Sequence, residues 1–137
     1  MDDAHERDIL EFFGSRHTER ALYRVFVDKI LAMFPDTRVK VHKTQISFYH
    51  RHLFAAAWLP HRPMKGRPEA YLLVTLGLET RLESPRIIEA VEPYRRRWTH
   101  HVLITGPGDI DDELLGWVRQ AREFSDRKRE GPAGWVP

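Results

Sequence analysis

Between Met33 and Arg38 the hydrophobic period of this chain changes, and that change restricts the fold more than any other feature. Before it, Leu22, Val25, Phe26, Ile30 and Phe34 recur at three and four residues. The spacing draws one apolar stripe along a helix, predicted over Thr18–Phe34, with Pro35-Asp36 as its stop. After it, Val39 and Val41, then Ile46 and Phe48, alternate with polar residues. That is the period of a strand with one buried face. A helical layer must therefore pack on a sheet within the same chain.

The flanking segments extend this reading. Ile9, Leu10, Phe12 and Phe13 lie at near-helical spacing between Asp2-Asp3 and Gly14, a start and a stop for a first helix. His50-Arg51-His52 reads as a hairpin turn into a strand at Leu53–Leu59, "PHRPMKGRPE" as an exposed loop, and "AYLLVTLGL" as another strand. In "SPRIIEAVEPY", Ser84 suits a helix cap and Pro85 the first helical position, which predicts a short helix. "RWTHHVLIT" is the last strand. Asp109 is the expected N-cap of a C-terminal helix, with Asp111, Asp112 and Glu113 in its first turn.

The expected class is α+β: two N-terminal helices, an antiparallel sheet of about four to five strands, a short helix before the last strand and a C-terminal helix. The helices should lie mainly on one sheet face. Residues 1–125 should form a single domain, and residues 126–137 a charged, flexible tail.

Composition excludes several function classes. With no cysteine, the chain has no disulfide, no thiolate nucleophile and no cysteine-held metal. No apolar run approaches the roughly 18 residues that a membrane span needs. The acidic start "MDDAHERDIL" does not read as a signal peptide, so a cytoplasmic location is expected. Net charge is +2, yet unevenly placed: residues 38–68 hold seven Lys/Arg and no Asp/Glu. That stretch would steer an anionic partner toward the middle of the chain.

Strand alternation then sorts residues between two faces. Ile46, Phe48, Leu72, Val74, Leu76, Trp98, His100, Val102 and Ile104 should meet the helices. Lys40, His42, Gln45, Ser47, Tyr49, Tyr71, Thr75, Thr99, His101, Leu103 and Thr105 should form an opposite, polar face. Adjacent strand residues point apart, so His100 and His101 cannot share a metal, and no spaced ligand set such as H-E-x-x-H occurs. No metal, cofactor or catalytic residue is assigned. The phosphate-binding loop, dinucleotide fingerprint and nucleophile elbow are all missing. Helix capping accounts for the acids at Asp109–Glu113.

Three segments, "KTQISFYHRHLFAAAWL" (43–59), "RWTHHVLIT" (97–105) and "DIDDELLGWVRQA" (109–121), together resemble a family of small bacterial domains catalogued as domain of unknown function 5655. The resemblance spans about residues 10–125. It implies a compact α+β domain and supplies no activity. Its motif positions fall on Lys43, Ser47, Phe48, Phe54, Trp58, Thr99, His100, His101 and Trp117. Tyr49-His50-Arg51-His52 stands where the family pattern is richer in Lys and Arg.

The reading is a non-enzymatic binding or accessory module that takes an anionic ligand on the polar sheet face. The residues assigned to it are Lys43, Ser47, Tyr49, Arg51, Tyr71, Thr99 and His101. One alternative is single-stranded nucleic acid stacked on Tyr49 and Tyr71. Another is a small hydrolase or isomerase using His101 as base. A second copy of the chain is a further candidate occupant of that face. No membrane partner is expected.

Overall fold

The computed structural model describes residues 3–60 and 65–127. Helices α1 (Asp3–Phe13) and α2 (His17–Met33) lead into six strands. These are β1 (Arg38–Val41), β2 (Ile46–Tyr49), β3 (Leu53–Trp58), β4 (Leu72–Leu78), β5 (Ile87–Tyr94) and β6 (Arg97–Ile104). A 3-10 turn (Pro107–Asp109) and helix α3 (Asp112–Asp126) follow. The class is α+β with an antiparallel sheet in the order β1-β2-β3-β4-β6-β5.

α1 ends where Gly14 takes a left-handed φ of 55°, a conformation that costs glycine nothing. α2 starts and stops one residue before its predicted bounds. The hairpin at His50–His52 forms as expected, closed by the His50 N–H donating to the His52 carbonyl.

Two expectations need correction. The sheet has six strands rather than four to five, and "IIEAVEPY" is β5, not a short helix. The Ser-Pro signal does make one turn: the Arg86 N–H donates to Ser84 Oγ, and the Ile87 N–H to the Ser84 carbonyl. The chain then extends, because β-branched Ile87, Ile88 and Val91 suit a pleated surface and β6 offers a ladder. β5 is an edge strand with register shifts, where Pro93 and its missing N–H are tolerated.

The cap of α3 is also displaced. Asp111 is the N-cap, its carboxylate accepting the Leu114 N–H at 3.0 Å. Asp109 instead closes the preceding turn by accepting from the Thr105 N–H and hydroxyl, each at 2.9 Å. These bonds hold both carboxyls below the ordinary aspartate value: the Thr105 N–H leads at Asp109, the Leu114 N–H at Asp111.

The core lies between the helices and one sheet face. Ile46, Phe48, Ala55, Ala57, Leu72, Val74, Leu76, Val102 and Ile104 are 0% exposed there. They meet Ile9 and Phe13 of α1, Phe26 and Ile30 of α2, and Leu114, Val118 and Ala121 of α3. Arg86 pins the start of β5 to α3, bonding Asp111, Glu113 and the Asp109 carbonyl while its guanidinium sits 5.6 Å from the Trp117 ring centre.

Candidate functional site

The second sheet face is built from the residues between those core positions. Strand register places Lys40, Ser47, Ala56, Thr75, His101 and Glu89 in one row across all six strands. The predicted division of the faces therefore holds for β6: Val102 and Ile104 lie in the helix-side core, while His101 pairs with Thr75 on the other side.

This face is more closed than its sequence suggests. Ser47 is 0% exposed, Thr75 1%, Thr99 6% and Tyr71 1%. Hydrogen bonds explain how two of the hydroxyls tolerate burial. Gln45 Nε2 donates to Ser47 Oγ at 2.7 Å, and Trp58 Nε1 donates to Thr75 Oγ1 at 2.7 Å. Thr75 Oγ1 also lies 2.9 Å from His101 Nδ1. The Trp58 and His101 rings meet edge to face, 5.6 Å between centres.

His101 is half-buried, and its Nε2 is neither sealed nor bonded to any described residue. Burial holds its pKa below the ordinary histidine value of 6.5. The Glu89 carboxylate opposes that shift and the Arg67 guanidinium adds to it. Glu89 pairs with His101 in the ladder, yet makes no ion pair with it within 4.0 Å among the described residues.

His100 is the contrasting case. It is 0% exposed on the helix side, and its Nε2 accepts the Leu82 N–H at 2.9 Å. Its neutral ring therefore carries the proton on Nδ1. Burial holds its pKa down.

The seven sequence-assigned residues do not form one cluster. Ser47, Tyr49, Thr99 and His101 share the second face, and Tyr71 lies buried just before the start of β4. Tyr71 also lines a cleft of about 500 Å³ with the α1–α2 elbow (Ser15–Glu19) and Pro60, Pro68, Glu69 and Ala70. Arg67 reaches the Tyr71 hydroxyl at 3.5 Å. Lys43 sits elsewhere, in a cleft with Asp8, Glu11 and Phe12 of α1. Arg51 donates to the Asp126 carbonyl at the end of α3, where the His50 ring bridges Asp36 and Asp126. Tyr49 lies beneath two cations, Arg38 at 5.8 Å and Lys40 at 5.3 Å.

Sequence reasoning left Trp58, Arg67 and Glu89 out of the site. Trp58 was visible as a motif position. Arg67 was hidden in a loop, and Glu89 in a segment given to a helix.

Among the described residues, no group of three or more His, Asp or Glu side chains is placed to hold a metal ion. No helix there is long and apolar enough to cross a membrane.

The fold and site define a small α+β domain with a helix-packed sheet face and a second, hydrogen-bonded face. The family described as Domain of unknown function (DUF5655) matches residues 11–125, from the last turn of α1 almost to the end of α3. The chain belongs to that family. No curated protein and no solved structure matches it.

Proposed function

We propose that the chain is a non-enzymatic binding domain for a small anionic ligand, held at His101, whose ring lies in the field of the Arg67 guanidinium. The observation that carries this reading is the state of His101. It is the one imidazole of the Lys40–Glu89 row, tied at Nδ1 to Thr75, with an unbonded and reachable Nε2. Its environment favours the neutral ring, so it offers a directional hydrogen bond while Arg67 supplies the charge.

The single-strand reading is less well supported. Stacking needs open ring faces, whereas Tyr71 is 1% exposed and Tyr49 is covered by Arg38 and Lys40.

The test is calorimetric titration with inorganic phosphate at low salt, on the wild type, His101→Phe and Arg67→Met. A charge-assisted hydrogen bond contributes about 1.5–3 kcal/mol, so each variant should bind at least roughly tenfold more weakly. Equal phosphate affinity in all three proteins would remove this site.

A further inference from the structure

We infer that Trp58 and Thr75 are positioning residues that fix His101 as a hydrogen-bond donor, and that the site thereby selects ligands bearing an oxyanion. The inference rests on the binding reading above and gives it a chemical direction.

The direction begins at Trp58. An indole Nε1 carries a hydrogen and accepts nothing, so at 2.7 Å from Thr75 Oγ1 it donates. The hydroxyl then has its own hydrogen to place. Thr75 is 1% exposed, which keeps that hydrogen from bulk water. Among the described residues, the other partner of Oγ1 is His101 Nδ1, at 2.9 Å. The hydroxyl therefore donates to Nδ1. That nitrogen must present its lone pair, and the proton of the neutral ring sits on Nε2. The reverse arrangement, with Nδ1–H donating to Thr75, would leave a buried hydroxyl hydrogen without an acceptor. Edge-to-face contact with Trp58, at an interplanar angle of 81°, holds the ring plane.

The outward atom is thus an N–H. It welcomes a carboxylate or phosphate oxygen and turns away another donor, such as an ammonium group. The same tautomer removes the outward lone pair that a general base at His101 would need. His100, one residue away, holds the opposite tautomer because a backbone N–H occupies its Nε2. The two rings give each other an internal spectroscopic reference.

Long-range proton–nitrogen correlation spectra of the imidazoles, at about pH 7.5 where an ordinary histidine is mostly neutral, read the tautomers directly. The expected result is a pyridine-type Nδ1 and a protonated Nε2 at His101, with the reverse at His100. In Thr75→Val the His101 Nδ1 resonance should move to the position of a nitrogen accepting no bond. In Thr75→Ser it should stay. A protonated Nδ1 at His101 in the wild type would overturn the inference, as would an unchanged Nδ1 resonance in Thr75→Val.

Inorganic phosphate and acetate are then titrated into the same samples. Both should move the His101 Nε2–H resonance, and Thr75→Val should weaken the response roughly fivefold or more. The predicted tautomer without any anion response would sink the binding reading and oxyanion selection while leaving the positioning role standing. An anion response from a ring protonated on Nδ1 would do the opposite.

Discussion

On the helix side of the sheet, Ile46, Phe48, Val74 and Val102 are fully buried beneath three helices. On the other side, Ser47 and Thr75 are just as buried, but hydrogen bonds from Gln45 and Trp58 accompany their burial. The two faces alternate along the same strands, so backbone geometry does not distinguish them. One is held by apolar area, which is insensitive to direction. The other depends on donors and acceptors meeting at set angles, which fixes protonation and orientation. The difference explains why a polar group on the second face can be held ready for a ligand, whereas one on the first face is simply sealed.

Truncating each face in turn should separate these two kinds of closure. The largest effect is expected on the helix side. Phe48 is 0% exposed and meets Phe26 edge to face at 5.6 Å. Phe48→Ala should cost about 3–5 kcal/mol in urea unfolding, from lost transfer energy and an unfilled cavity. A loss under about 1 kcal/mol would mean that this face is not the core.

Thr75→Val on the second face removes no volume but strands the Trp58 N–H and the His101 lone pair. It should cost about 1–3 kcal/mol, the range for leaving buried polar groups unpaired. Trp58 emission should also change as its N–H loses its acceptor. A stability equal to that of wild type would show that the hydrogen-bonded closure contributes nothing.

The smallest effect is expected at Arg86→Met, where a side chain 21% exposed bridges the exposed carboxylates of Asp111 and Glu113. Exposed ion pairs contribute up to about 1 kcal/mol. The stem can still pack on Trp117, and high salt should shrink the difference further. A loss well beyond that range would make Arg86 part of the core's closure.

The division between the faces was legible in the sequence because period-two alternation runs within Arg38–Val41, within Ile46–Tyr49 and again from Trp98 to Ile104. α2 was legible for the same reason, at its own period. β5 was not, because Ser84-Pro85 forms a real turn and the residues after it carry no local sign of the β6 ladder that extends them. The site was legible only in part. His101 and Thr75 were assigned to one face from parity, but their bond joins residues 26 apart, and the Trp58–Thr75 bond joins residues 17 apart. Such contacts come from register, which alternation alone does not specify. Lys43 and Arg51 were drawn in by charge and lie elsewhere because the β1–β2 and β2–β3 turns carry them to α1 and to the end of α3.

Adjacent His100 and His101 put the contrast to its sharpest test. Both have pKa values lowered by burial from 6.5. In the window between the folded values and 6.5 the unfolded chain binds more protons, so these rings make the protein less stable as pH falls through it. The decisive measurement is an NMR pH titration of both rings in the native protein, with and without inorganic phosphate. His101 should titrate reversibly below 6.5 in the folded state, with phosphate raising its midpoint, while His100 stays neutral until the fold is lost. A His100 that titrates first, or a His101 that is silent until unfolding, would contradict the division of the two faces.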